Sequence, residues 1–335
     1  MQTQKLILFL LLALATVNLP ALAQGSATST NSPSLGNPRF AFPPPSQNAT
    51  AVKPPLDRSH DAVTMGLAKA KVYRFASADY PGAFYSYVYD ENKTTVLGQT
   101  ALTTVGAGVT GFTLTSGDYQ LLILPGSMGN NSPIGINTAG NIVGTYTDVT
   151  GAPHGFLYAG GVVSNVDDPS ANVGKTFPQA INDEGEIVGY YFDDLGDHGF
   201  STNEGVTFSA IDYPNAEATF AFGLNSTGEI VGSWEDLSGI FHGFWLSNGV
   251  FTSFDFPLAT ATYPGGINDS GEIAGYFTDA SGMYHGFTLS ANAYSQIDVP
   301  SATGTQITRI KNNGHITGSY VDGLGAGESH GLTGH

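Results

Sequence analysis

The stretch Ile181-Asn182-Asp183-Glu184-Gly185-Glu186-Ile187-Val188-Gly189-Tyr190-Tyr191-Phe192-Asp193 decides the fold, because close copies of it recur along the chain. INTAGNIVGTYTD begins at Ile136, LNSTGEIVGSWED at Leu224, INDSGEIAGYFTD at Ile267 and KNNGHITGSYVD at Lys311. The asparagines Asn137, Asn182, Asn225, Asn268 and Asn312 lie 45, 43, 43 and 44 residues apart. A second landmark follows each of them: His154, His198, His242, His285 and His330, each followed by Gly and then Phe, with Leu332 replacing Phe in the last. A third is the link proline: Pro81, Pro125, Pro169, Pro214, Pro257 and Pro300, spaced 44, 44, 45, 43 and 43. Three landmarks keep one period, so the chain reads as one supersecondary unit in tandem.

Working outward, each period reads as four strands. Asn-x-x-Gly suits a tight hairpin turn with a left-handed glycine at its end. A β-branched and aromatic run follows, then Asp-x-x-Gly turns at Asp148–Gly151, Asp236–Gly239, Asp279–Gly282 and Asp322–Gly325. The His-Gly-Phe strand, a glycine or asparagine turn and an outer strand such as Val250-Phe251-Thr252-Ser253-Phe254 complete the unit. Four strands in this length are one β-propeller blade.

The ends of the array predict how it closes. Phe75, Tyr119, Val163, Phe208, Phe251 and Tyr294 share one outer-strand position, and the first of them precedes any complete unit. The last unit stops at His335 without its outer strand. The surplus strand matches the deficit, so the expected fold is all-β: a six-bladed propeller over residues 67–335, its N-terminal strand joining the C-terminal blade. An open β-solenoid is the rival, but its ends would not be complementary pieces of one repeat. In the first unit Thr110 replaces the histidine, and that blade is expected to be the least regular.

Composition agrees. Of 335 residues, 44 are glycine, none is cysteine, 36 are tyrosine or phenylalanine, and 12% are charged, which disfavours a helical bundle. The formal net charge is −17, and residues 94 to 308 hold one basic residue, Lys175, against 21 acidic ones. Binding to nucleic acid or an anionic membrane is therefore disfavoured. Lys5, the apolar run Leu6 to Val17 and Ala21-Leu22-Ala23 read as a signal peptide (1–23), cleaved after Ala23, for a secreted or periplasmic protein. Residues 24–66, rich in Ser, Pro and Asn, read as a disordered leader. No later segment has 18 uninterrupted apolar residues, so membrane insertion is not expected, and the expected state is a monomer.

The Ile-Asn-x-x-Gly-x-Ile-Val-Gly core with Asp-x-x-Gly and His-Gly-Phe resembles the tandem HAF repeats of bacterial extracellular proteins, over roughly residues 90 to 333. That family motif is named for His-Ala-Phe, whereas Gly155, Gly199, Gly243 and Gly286 stand in the middle position here. The substitution suggests closer backbone packing. The resemblance implies secretion and a repeat β fold, and supplies no catalytic residue.

Residues that recur in every blade are best explained by what every blade needs, which is folding. The five repeat histidines should each bond a backbone group or the nearby turn aspartate, since symmetry-related positions far from the axis cannot share one ion. Acidic turns at Asp148, Asp193, Asp194, Asp236 and Asp279 raise calcium as a candidate cofactor, but no D-x-D-x-D-G loop with its following Glu occurs. Alternating hairpins put the NxxG turns at one rim and the DxxG turns with the variable Asp-x-Pro links at the other. Recognition of an extracellular glycan, peptide or envelope protein is expected at the second rim. Phe177, Phe220 and Tyr263 lie near its channel mouth or plug it, and Trp245 is either a sugar platform or inter-blade packing. The alternative is an extracellular hydrolase or lyase using carboxylates such as Asp167, Asp168 or Glu217. No nucleophile elbow, HExxH helix or phosphate loop is present.

Overall fold

The computed structural model of the protein describes residues 73–83, 85–101, 109–322 and 329–335. The expected signal peptide and leader lie outside the described residues. Every described element is a strand, so no helix there is long and apolar enough to cross a membrane.

After β1 (Phe75–Ser77), the chain forms successive antiparallel four-stranded groups. The first is β2 (Tyr85–Glu91), β3 (Thr95–Ala101), β4 (Thr110–Thr115) and β5 (Asp118–Leu121). The second is β6 (Ser127–Ile136), β7 (Ile142–Asp148), β8 (Pro153–Ala159) and β9 (Val162–Asn165). Next come β10 (Thr176–Ile181), β11 (Glu186–Phe192), β12 (Asp197–Asn203) and β13 (Thr207–Ile211), then β14 (Ala218–Leu224), β15 (Ile230–Glu235), β16 (Phe241–Ser247) and β17 (Val250–Phe254). One parallel bridge, Asp197 to Ala218, joins these two groups. The fifth is β18 (Ala261–Ile267), β19 (Ile273–Thr278), β20 (Tyr284–Ser290) and β21 (Ala293–Ile297). The last three strands, β22 (Ala302–Ile310), β23 (Ile316–Asp322) and β24 (Ser329–Gly334), take β1 as their fourth, with Phe75 opposite Gly334 and Ser77 opposite Leu332. The segment near Phe75 thus lies beside the tail near His330, as the unequal ends of the array require.

Apolar clusters fill the spaces between neighbouring groups. Leu97 packs with Ile136 and Phe156, Val143 with Ile187 and Phe200, Ala180 with Ile230 and Phe244, Val231 with Ile273 and Phe287, and Ala274 with Ile316 and Leu332. The aromatic residue of each His-Gly-Phe motif is fully buried there, where it stabilises by roughly 2–3 kcal/mol. The glycine before it lets the outer strand approach: a Cβ on Gly199 would lie 2.7 Å from the Ile211 carbonyl oxygen, and one on Gly286 2.6 Å from that of Ile297. The close packing expected from Gly in place of Ala is what is seen.

Each innermost strand carries a β-bulge at the same place. The residues bulged at this place are Tyr89, Ile134, Gln179, Phe222, Gly265 and Thr308, and β6 and β22 each have a further irregularity nearer their start. A bulge frees backbone groups from the ladder and turns them elsewhere. Arg309 collects three of these carbonyls: Nη2 donates to Gln179 at 2.6 Å, and Nη1 to Gly265 and Thr308 at 2.8 Å each. Thr308 Oγ1 donates to the Tyr89 carbonyl at 2.8 Å. Inner strands far apart in sequence therefore meet at one hub.

Candidate functional site

The repeated polar residues are absorbed by the fold, which narrows what remains for a ligand. The asparagine of each NxxG turn caps its own turn through Oδ1 and reaches the next group through Nδ2. Asn92 donates to the Asn137 carbonyl, Asn137 to Asn182, Asn182 to Asn225, Asn225 to Asn268 and Asn268 to Lys311, at 3.1–3.3 Å. This lacing corrects the expected register of the last unit. Lys311, not Asn312, holds the repeat position of the last unit, and Asn92 holds that of the first. Asn312 instead matches Asp269 one residue on, and its Oδ1 accepts the Asp269 amide at 2.8 Å. The glycine spacing carries the true register, since Gly314 follows Lys311 as Gly271 follows Asn268. Lys311 Nζ then pairs with Asp90 of β2 at 2.5 Å, so the lacing runs back to the first group.

The five histidines are each held between two carboxylates. Nδ1 lies 2.7–3.1 Å from the link aspartate: Asp167 for His154, Asp212 for His198, Asp255 for His242, Asp298 for His285 and Asp79 for His330. Nε2 lies 3.5–3.6 Å from the turn aspartate: Asp148, Asp193, Asp236, Asp279 and Asp322 in the same order. The second-strand aromatic, such as Tyr191 or Trp234, lies over the imidazole. The expected turn partner is present, and the link aspartate is an additional one. In the first unit both members change together, to Thr110 and Ile123. Asn131 takes over there, accepting the Gly111 amide at 3.0 Å and donating to the Leu122 carbonyl at 2.9 Å.

The turn carboxylates are filled by the backbone. Oδ1 of Asp148 accepts the amides of Thr150 and Ala152, and Asp236 and Asp279 repeat the pattern. Burial by itself would raise Asp279, but hydrogen bonds from Ser281, Met283 and His285 outweigh it and bring the carboxyl to about 2. The Thr150 hydroxyl leads the lowering of Asp148, and the Ile240 amide that of Asp236. Among the described residues no three His, Asp or Glu side chains are grouped to hold a metal ion.

The aromatic candidates do assemble. Phe177, Phe220 and Tyr263 lie near the link end of β10, β14 and β18. Phe177 stacks on Tyr190 at 5.1 Å, Tyr190 meets Phe220 edge-on at 5.1 Å, and Phe220 reaches Phe241 at 6.0 Å. Phe241 touches Tyr263 at 5.5 Å, and Tyr263 stacks on Tyr276 at 4.8 Å. Phe220 is fully buried and belongs to the core, whereas Phe177, Phe241 and Tyr263 are only half-buried. Trp245 stands apart from this group. Its partly buried ring packs against the Val231–Ile273–Phe287 cluster.

The carboxylates considered for catalysis are not gathered. Asp167 holds His154, Asp168 is buried and caps its own turn through the Ser170 amide, and Glu217 is exposed on a different link. Asp167 and Asp168 border a cleft with Tyr191 and Phe208 that does not include Glu217.

No family model matches this chain, and no curated protein matches it. Among solved structures it is similar to virginiamycin B lyase from Staphylococcus aureus, with 12% identity over 78% of this chain and 99% of that one and a TM-score of 0.43. It is also similar to the β-propeller domain of the Trilobed protease from Pyrococcus furiosus (11% identity, 71% and 80% of the two chains, TM-score 0.47). TolB from Acinetobacter baumannii shows 12% identity over 76% of this chain and 64% of that one, with a TM-score of 0.48.

Proposed function

We propose that residues 67–335 form a six-bladed β-propeller of HAF type, closed by β1, and that the protein is an exported, non-catalytic module binding an extracellular ligand at the link end. The closed wheel is supported by the β1–β24 pairing, the Arg309 hub and the Lys311–Asp90 contact. One observation carries the binding face. Among the described residues, nine of the twelve exposed large apolar side chains lie in or beside the DxxG turns and Asp-x-Pro links, including Val149, Val173, Leu195, Leu237, Leu258 and Met283. Apolar side chains held out in water on one face of a rigid scaffold mark an interaction surface.

The test is a glycan and peptide array probed with the protein and two double variants. Leu195→Glu with Leu237→Glu should abolish binding. Val206→Glu with Val250→Glu, at the opposite end, should leave it intact. Equal loss in both, or loss only in the second, would sink the assignment, and release of a cleaved product would favour the hydrolase or lyase reading.

A further inference from the structure

Lysine and arginine are divided between the two ends unevenly. Arg74, Lys93, Arg309 and Lys311 all lie at or near the NxxG end, with Arg309 buried on backbone carbonyls. Lys175 is the one lysine or arginine at the link end among the described residues. Around it the link aspartates stay partly open: Asp167, Asp212, Asp255 and Asp298 keep 38–51% of their side chains exposed. The link end is thus an acidic face with apolar loops.

At its centre the half-buried aromatic rings come from several sheets and are largely tyrosines. Tyr85 and Tyr87 of β2 lie 5.1 Å apart, and Tyr284 lies 5.7 Å from the buried Tyr276. Burial pushes the Tyr263 phenol up, and Tyr284 and Glu235 add to that. Tyr276 is buried, which raises its phenol, and its ring lies 4.8 Å from Tyr263 and 5.7 Å from Tyr284. Electron-rich ring faces beside carboxylates attract a cation and repel an anion.

Resting on the binding-face reading above, we infer that the tyrosine-lined mouth takes a lysine or arginine side chain of a basic polypeptide. The cation would sit over Tyr263 and its neighbours near Glu235. Flanking apolar side chains of the same polypeptide would lie on the Leu195, Leu237 and Leu258 loops. A small polyamine would use the mouth and leave those loops uncovered.

The probes are three labelled ten-residue peptides: one alternating leucine with lysine and arginine, one with the cations replaced by norleucine and citrulline, and one with glutamate. The basic peptide should bind about tenfold more tightly than the neutral one at low salt, an advantage that shrinks as salt rises. The glutamate peptide should not bind. Tyr263→Leu and Glu235→Gln, each checked by melting, should remove the preference for the basic peptide over the neutral one. Equal binding of basic and neutral peptides, both lost in Leu195→Glu with Leu237→Glu, would overturn the cation inference and leave the binding face standing. No binding by any peptide, with array binding indifferent to those loop variants, would overturn both. Spermidine competing as well as the basic peptide would overturn the polypeptide assignment.

Discussion

At the scale of single residues, the histidine clamps decide how stability responds to mutation and to pH. His242 bridges Asp255 and Asp236 and lies against Trp234 at 4.6 Å. His242→Ala should lower stability by about 1–2 kcal/mol, read as a fall in melting temperature, with no change in bound metal. Stoichiometric loss of zinc would contradict that role. Asp279 titrates near 2 in the fold against 3.8 ordinarily, and Asp148 and Asp236 are also lowered. A lowered carboxylate contributes stability that is present above its unfolded value and is lost as pH falls through the folded one. Melting temperature should therefore drop between about pH 4 and pH 2, and Asp279→Asn should flatten that limb. His330 works in the opposite sense. Burial would lower it, but the hydrogen bond to Asp79 and the charges of Asp79 and Asp322 raise it above 6.5. Its contribution is complete below 6.5 and is lost as pH rises through the higher folded value.

At the scale of strands and turns, the bulges matter more than the motifs that reveal the repeat. Arg309 satisfies carbonyls on β10, β18 and β22 while Asp90 sits 4.0 Å from its Nε. Arg309→Met removes one partner of a buried charge and strands those carbonyls, so unfolding free energy should fall by about 3 kcal/mol or more. A denaturant melt showing under about 1 kcal/mol of change would mean that the hub is incidental. None of this was legible beforehand, because a bulge leaves no residue type behind: Tyr89, Gln179, Gly265 and Thr308 share nothing as letters. The strand order, the turns and the clamp histidines were legible, since period and glycine placement record them directly. Tyr190 and Tyr276 were not, for a reason of alternation. Tyr191 and Phe277 stack on the clamp histidines, whereas the residue before each turns to the other face of the strand and is buried against Phe177 or Tyr263. The first unit reads as decay in sequence, yet Asn131 repairs it from the neighbouring sheet, a compensation visible only in three dimensions.

At the scale of the whole molecule, everything rests on the join between the two ends of the repeat array. Ala76 of β1 and Thr333 of β24 are direct cross-strand partners, and the chain has no cysteine of its own. Ala76→Cys with Thr333→Cys therefore gives a single defined disulfide across the join. If the wheel is closed in solution, oxidation should link the two ends within one chain. The product should migrate faster without reductant, and its melting temperature should rise above that of the reduced form. The closed loop spans roughly 250 residues, for which chain entropy sets an upper gain of about 5 kcal/mol, less any strain at the new bond. Either single-cysteine variant should show neither effect. Cross-links formed only between chains, or an oxidised form that melts with the reduced one, would mean that β1 leaves β24 readily. The closed wheel would then fail, and with it the common face on which the apolar loops and the tyrosine mouth are brought together.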